Sequence, residues 1–244
     1  MIDLTNRVAL VTGGSRGIGR AISLALANAG AAVAVNYLSR ALEAEETVAE
    51  IHAGGRTAMA IAADVSVATA VKGMVDEIAD KLGPIDVLIN NAGVATVRGL
   101  DDLTEDDFDR AIAVNLKSAF LCIKAVLPSM RARGWGRIIN MSSVAARAGG
   151  AIGAHYNASK AGLEGLTRAY ASRLAAGGVT VNAVAPALID TEMAAPLKQA
   201  GYAARIPVGR FGAAEEVASA TLMLIDNAFI TGQTIPVKGG MLFT

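Results

Sequence analysis

A doubly wound α/β fold, one domain built on a seven-stranded parallel sheet with helices on both faces, is predicted by three observations. Short apolar runs alternate with helical segments along the whole chain. Most of these runs are apolar throughout rather than alternating, as strands covered on both faces should be. No low-complexity linker and no repeat interrupts the series, so residues 1–244 read as one domain.

The first strand, Val8 to Val11, is a four-residue apolar run ahead of a glycine-rich turn. Helix Gly17 to Ala29 stops at Gly30, and a second strand runs Ala32 to Asn36. The uncharged stretch Ala21 to Ser39 is about as long as a membrane span. Ser23, Asn28, Gly30 and Asn36 interrupt it, which favours helix, stop and strand. Helix Arg40 to Ala53 ends at Gly54-Gly55, strand Thr57 to Ala62 follows, and helix Val67 to Leu82 ends at Gly83-Pro84. Strand Val87 to Asn90 precedes a long helix, Glu105 to Arg133, capped by Thr104 and favoured at its start by the acids between Asp101 and Asp109. Gly134 stops that helix. Strand Ile138 to Ser142, helix His155 to Ala176, strand Val179 to Ala185, helix Ala213 to Ile225 and strand Thr234 to Val237 complete the series. The segment Asp190 to Gly212 departs from the pattern. It holds Pro196 and Pro207 between the sixth strand and the last helix, the place for a mobile lid over a site.

The 22 Lys and Arg residues balance the 22 Asp and Glu residues, and no run of like charge stands out, so neither nucleic acid nor an anionic membrane is an expected partner. Small molecules or copies of the chain itself are. Cys122 is the only cysteine, which excludes an internal disulfide and a Cys-rich metal site and fits a reducing compartment, the cytoplasm. The start, Met1 to Arg7, carries Asp3 and no apolar core of a secretory signal, so no cleaved leader is expected.

Chemistry enters at the first turn, Val11-Thr-Gly-Gly-Ser-Arg-Gly-Ile-Gly19. Its glycines at 13, 17 and 19 do not fit G-x-G-x-x-G in any register. They still permit a tight turn whose backbone amides approach an anion at a helix N-terminus. Gly13, Ser15, Arg16, Gly17, Ile18 and Gly19 are therefore candidate phosphate-binding residues, and an ordinary glycine turn is the alternative. Tyr156 and Lys160, at i and i+4, share a helix face. An ammonium beside a phenol favours phenolate and lowers a pKa that starts near 10, toward acid–base work at neutral pH. Alone the pair reads as a surface pair. Ser142-Ser143, at the carboxyl end of the fifth strand where open α/β sheets bind ligands, changes that reading. His155 has no second ligand at metal spacing, so no metal is expected. Cys122 reads as core, and His52 as a helix-end cation.

These motifs, taken in order, resemble the short-chain dehydrogenase/reductase family and its Rossmann-type fold. The resemblance covers the whole chain: Thr12-Gly-x-x-x-Gly-x-Gly19, Asp64-Val65, Asn90-Asn-Ala-Gly93, Asn115, Ser143 thirteen residues before Tyr156, Lys160, and Val181-Asn-Ala-Val-Ala-Pro186. Within the family the chain is most similar to the bacterial 3-oxoacyl-(acyl carrier protein) reductase group, on Gly136-Arg-Ile-Ile-Asn-Met-Ser-Ser143, Ile206-Pro-Val-Gly-Arg-Phe-Gly212 and Ile230-Thr-Gly-Gln-Thr234. The resemblance implies a dinucleotide-binding and catalytic domain in which Tyr156 protonates a carbonyl oxygen during reduction. Lys160 would hold the nicotinamide ribose and depress the Tyr156 pKa. Ser143, with Ser142 as its rival, would bond the substrate oxygen, and Asn115 would anchor a proton-relay water. Asn91, Ala92 and Gly93, after Asn90, would lie near the adenine ribose, although Asn-Asn-Ala-Gly also suits a plain turn. Asp64 and Val65 would contact adenine, or Asp64 would cap the next helix. Pro186, Ile189 and Thr191 would hold the carboxamide, with Ala187 where the family usually has Gly.

Cofactor choice turns on the end of the second strand, Asn36-Tyr-Leu-Ser-Arg40, which lacks the acid that bonds a ribose 2'-hydroxyl. A 2'-phosphate would meet no repulsion there, and Arg16, Ser39 and Arg40 could bind it, so NADP is expected over NAD. The favoured function is carbonyl reduction. The alternatives are a sugar, polyol or other secondary-alcohol dehydrogenase and, from another class, a non-catalytic nucleotide sensor, which would not need a positioned acid. A homotetramer is expected from the family, with Ile112, Leu116, Phe120, Ile123 and Leu127 on one pairing helix and the apolar ending Met241 to Thr244 at a second axis. Acyl carrier protein is the weakest expected partner. Arg131, Arg133, Arg168 and Arg173 are suitably basic, but Gly134 and Gly177-Gly178 stand where carrier-using relatives often have a cation, with Arg133 as the substitute. Lys238, where relatives usually have Asp, has no functional account in the sequence.

Overall fold

The computed structural model describes residues 2–243; the end positions of the expected domain, Met1 and Thr244, lie outside the described residues. Seven parallel strands form one sheet: β1 (Val8–Val11), β2 (Ala32–Tyr37), β3 (Ala58–Ala62), β4 (Val87–Asn90), β5 (Gly136–Met141), β6 (Val179–Pro186) and β7 (Thr234–Val237). Their order in space is β3-β2-β1-β4-β5-β6-β7. The chain winds outward through β2 and β3, then crosses back to β4, so the reversal falls between β1 and β4. In such sheets a crevice opens at the carboxyl ends of the strands flanking the reversal.

The period of two in β1 sorts its side chains between two cores. Ala9 and Val11 pack with Ile22 and Leu26 of α1 (Gly17–Asn28), Val48 and Ile51 of α2 (Ala41–Ala53), and the later Val217 and Leu224. Val8 and Leu10 face the other side, with Val71, Met74 and Ile78 of α3 (Ala68–Lys81). Each fully buried Leu or Ile contributes roughly 1.5–3 kcal/mol of burial.

Two elements, the long helix and β5, differ from the sequence expectation at three points that bear on the site. The single helix expected over Glu105 to Arg133 is α4 (Glu105–Ile112), a π-helical turn over Ala113–Lys117, and α5 (Ser118–Arg133). Hydrophobic spacing does not register the extra residue per turn, which redirects the Asn115 side chain. The start is as expected: Thr104 Oγ1 accepts from the Asp107 amide at 3.1 Å, while Asp107 accepts from the Thr104 amide at 3.4 Å. Second, β5 begins at Gly136. Arg137 is buried inside the strand because its guanidinium donates to the Ile225, Gly136 and Gly178 carbonyls and stacks 4.5 Å from the Trp135 ring centroid. Third, β5 ends at Met141, so Ser142 and Ser143 lie beyond it.

Past β5 come α6 (Ala154–Leu174), β6, and the expected lid, which contains α7 (Ala195–Gln199) between two 3₁₀ turns, and then α8 (Ala214–Asp226) and β7. The segment has a small core of its own, Ala194, Ile206 and Phe211 with Leu188, Leu197 and Tyr202 around them. Its ends are tied by a parallel bridge, with the Asp190 amide donating to the Gly212 carbonyl at 2.8 Å and the Gly212 amide to the Leu188 carbonyl at 2.9 Å.

Candidate active site

The glycine-rich turn leaves β1 at the reversal. Gly13 (φ +61°) and Gly17 (φ +52°) are left-handed, and a Cβ on Gly19 would sit 2.2 Å from the Gly13 carbonyl oxygen. Only glycine closes this turn. Polar side chains at strand ends then stitch it to its neighbours. Thr12 Oγ1 accepts from the Asn91 and Ala92 amides at 2.9 and 3.0 Å, and Asn91 Nδ2 donates to the Thr12 and Gly13 carbonyls. Asn36 Oδ1 accepts from the Gly13 amide at 3.3 Å. Thr12 and Asn36 were not singled out as site residues from sequence; a polar residue ending an apolar strand was the available signal. Asn90 points elsewhere, donating to Asn140 Oδ1 inside the sheet at 2.8 Å.

The remaining expected cofactor residues surround this turn. Ser15 is buried and Ile18 packs against the core of α1. Val65 is buried, and Asp64 accepts from the Ser66 amide and hydroxyl at 2.8 and 2.6 Å, closing a turn rather than capping α3 with its side chain. Pro186 and Ile189 are buried at the end of β6, and Thr191 lies against Gly17, 3.3 Å from where a Cβ there would stand. Ala187 stays out of the left-handed region, so the missing glycine costs nothing in backbone.

Ser39 and Arg40 are exposed beyond β2. The expectation that a 2'-phosphate would meet only cations there is corrected by two carboxylates. Arg40 donates to Glu43 at 2.8 Å and Arg16 is ion-paired with Glu192. Both guanidiniums also hold the Glu43 carboxyl below its ordinary range, after its own backbone hydrogen bond. The turn nonetheless fits a dinucleotide: its walls are glycine, and Gly93, at the far end of the crevice, would place a Cβ 3.7 Å from Lys160 Nζ.

That ammonium belongs to the second half of the site. Tyr156 and Lys160 are both buried on α6, with Nζ 5.7 Å from the phenol ring centroid and donating to the Met141 carbonyl at 2.7 Å. Burial pushes Lys160 down to about 8. Burial pushes Tyr156 up, opposed by a hydrogen bond from the Ser143 side chain. The net shift of the phenol pKa is therefore upward and not the expected depression, because desolvation of the phenolate outweighs its neighbours. The two serines separate cleanly. Ser142 Oγ is buried against Lys160 and Glu164, whereas Ser143 is half-buried beside Tyr156 and accepts from the Ala145 amide at 3.2 Å.

Asn115 is buried in the π-helical turn. Its amide accepts from the Val94 amide at 2.8 Å and donates to the Val94 carbonyl and Ser159 Oγ, both at 3.0 Å. The turn thus aims one side chain at both the loop after β4 and the helix of Tyr156. His155, next to Tyr156, turns its ring to the Thr96 carbonyl at 3.1 Å. Cys122 is core, its thiol pushed up to about 12 by burial.

Comparisons with known proteins agree with this geometry. The family model for short chain dehydrogenases matches residues 7–201. A 3-oxoacyl-(acyl carrier protein) reductase of Synechocystis is 45% identical, over 99% of both chains, and one of Staphylococcus aureus is 44% identical, over 96% of this chain and 97% of its own. Among solved structures, a Sinorhizobium meliloti protein described as a short-chain alcohol dehydrogenase superposes with a TM-score of 0.92 at 40% identity, covering 98% of this chain and 97% of its own. One from Agrobacterium tumefaciens described as a gluconate dehydrogenase gives 0.93 at 34%, covering 99% and 98%. The chain belongs to the short-chain dehydrogenase family of oxidoreductases.

Proposed function

We propose that this chain is an NADP-dependent reductase that converts a carbonyl, in the first instance the ketone of a 3-oxoacyl thioester, to a secondary alcohol. The observation that carries it is the cluster of half-buried Ser143 with buried Tyr156 and Lys160 at the carboxyl end of the sheet, next to a glycine turn shaped for a dinucleotide. The bound nicotinamide supplies the hydride. Tyr156, a phenol whose ordinary pKa near 10 keeps it neutral at physiological pH, gives its proton to the carbonyl oxygen. Ser143 donates to the same oxygen and fixes its position. Lys160 holds the ribose and, as a cation beside the ring, stabilises the phenolate left by proton transfer. Asn115 anchors the route by which Tyr156 regains its proton.

The cofactor-binding set is Gly13, Ser15, Arg16, Gly17, Ile18, Gly19, Ser39, Arg40, Asp64, Val65, Asn91, Ala92, Gly93, Pro186, Ile189 and Thr191, with residues 190–212 as the lid. The substrate class is supported by the names of the Synechocystis and Staphylococcus relatives. Acyl carrier protein follows from the same names. Arg131, Arg133 and Arg168 are exposed, and the Arg133 guanidinium also donates to Asp86 and the Ile85 carbonyl, which leaves Arg131 and Arg168 the freer cations for the carrier's docking surface. Oxidation of a secondary alcohol is the second reading, favoured by the two solved structures and served by the same residues.

The proposed state is a cytoplasmic homotetramer. Supporting it is an apolar groove of about 570 Å³ on the outer face of α5 and α6, lined by Ile112, Leu116, Phe120, Gly162 and Leu166 among others. Glu105–Arg133 is apolar and long enough to cross a membrane, but its inner face, Ile123 included, packs against the sheet. A spectrophotometric assay with acetoacetyl thioester and secondary alcohols, each with both nicotinamide cofactors, tests the function. Faster NADPH oxidation by the thioester is the expected result; turnover of alcohols alone transfers the conclusion to the second reading.

A further inference from the structure

We propose that Glu164 is a positioning residue whose buried carboxylate clamps the loop carrying Ser143 onto the helix carrying Tyr156 and Lys160. The inference rests on the reading of Ser143 and Tyr156 given above. Glu164 lies one turn beyond Lys160, on the same buried face of α6, with a side chain only 6% exposed. Its two oxygens are used separately. Oε1 accepts from Ser142 Oγ at 3.3 Å and Oε2 from Arg147 Nε at 2.9 Å.

Ser142 and Arg147 are the two ends of one short segment, with Ser143 and the 3₁₀ turn Val144–Ala146 between them. One carboxylate therefore holds the entry and the exit of the segment. Ser142 Oγ also lies 3.3 Å from the Lys160 carbonyl, so the clamp reaches the lysine's own backbone. Inside the segment, Ser143 Oγ accepts from the Ala145 amide, which ties the orientation of the hydroxyl to the geometry of the turn. Movement of the turn moves Ser143 relative to the Tyr156 hydroxyl.

The charges around the clamp are asymmetric. Lys238, after β7, is drawn toward Glu164 and repelled by Arg147. Lys160 and Ser143 face Tyr156, and His155 turns away to Thr96. Glu164 is thus the anion shared by two cations from separate segments of the chain, and it touches neither the expected substrate nor the cofactor. Loss of the carboxylate charge by itself favours the phenolate and lowers the Tyr156 pKa, so a rise on removal reports the loosened Ser143 hydrogen bond and not the missing charge.

The test compares wild type, Glu164→Gln, Glu164→Ala and the pair Glu164→Gln with Arg147→Gln. The readouts are the pH profile of carbonyl reduction, NADPH affinity by fluorescence, and Tyr156 ionisation from tyrosinate absorbance referenced to the same protein carrying Tyr156→Phe. Because the Ser143 hydrogen bond lowers the Tyr156 pKa, loosening it moves the alkaline limb and the tyrosinate titration upward. The expected result is that shift together with a roughly tenfold fall in kcat and an unchanged NADPH affinity, with no recovery in the double variant, in which the clamp is still missing. A titration that stays in place while stability falls overturns the proposal, and Glu164→Gln decides it if Glu164→Ala does not fold. If wild type reduces no carbonyl, the reductase reading fails, and the tyrosinate titration still decides the clamp.

Discussion

Arg16, in the glycine-rich turn, is ion-paired with Glu192, which lies 176 residues further along the chain at the start of the first 3₁₀ turn after β6. The pair bridges the wall of the dinucleotide crevice and the segment that covers it, beside the contact of Thr191 with Gly17. The guanidinium expected to meet a 2'-phosphate is thus engaged by a carboxylate.

A 2'-phosphate must compete with that carboxylate, so Glu192→Gln is expected to tighten NADPH about two- to fivefold, the scale of an exposed pair, and to leave NADH unchanged. Arg40→Ala is expected to weaken NADPH about tenfold at low salt and less as ionic strength rises. Fluorescence titration with both dinucleotides checks each. Equal changes for the two cofactors, or tighter NAD binding by wild type, would sink the NADP assignment.

Tyr156→Phe keeps the ring and removes the proton. Turnover should fall at least 10²- to 10⁴-fold, the scale of a lost general acid, while NADPH affinity stays within about twofold. Stopped-flow reduction and equilibrium binding, measured separately, check both halves.

Lys160 predicts a stability that depends on pH. Its folded pKa is about 8, below the ordinary 10.5, so the penalty for burying the charge is complete below about pH 8 and fades as pH rises toward 10.5. The unfolded state binds more protons in that window, and stability attributable to this group rises by about 3 kcal/mol across it. Cys122 works the other way above pH 9, because its thiol is raised to about 12. The measurement is therefore the difference between wild type and Lys160→Met in urea unfolding from pH 7 to 10.5. A difference that does not narrow in favour of wild type as pH rises contradicts the assignment.

Asn115→Ala leaves the Val94 amide, the Val94 carbonyl and Ser159 without their partner. Each buried group stranded in this way costs roughly 1–3 kcal/mol, so a loss of at least about 2 kcal/mol in urea unfolding is expected, along with reduced turnover in the folded fraction.

Three strands, Val8–Val11, Val87–Asn90 and Thr234–Val237, have the boundaries the sequence suggests, because an apolar run ends at a glycine, asparagine or charged residue. The start of β5 was illegible. A buried arginine in a central strand is admitted by the indole of Trp135 and three carbonyls, of which those of Ile225 and Gly178 come from other parts of the chain. The π-helical turn was illegible for a different reason: apolar spacing constrains which face is buried and says little about one extra residue in a turn. Ser143, Tyr156, Lys160 and Asn115 are expected from the resemblance to the family; of these only the Tyr156–Lys160 helix spacing is readable from the residues themselves. The acids that restrain the site, Glu43, Glu164 and Glu192, could not, since their significance lies in where distant residues meet.

The paired amide bonds between Leu188, Asp190 and Gly212 have one more consequence. Because the lid leaves and rejoins the framework at almost the same point, and packs around its own Ile206 and Phe211, its length and sequence are nearly decoupled from the sheet. Doubling such an excursion adds only about 0.6 kcal/mol of closure entropy. As the proposed lid, the segment is an exchangeable cassette, whose length and sequence can change while the sheet and the buried residues of α6 stay as they are.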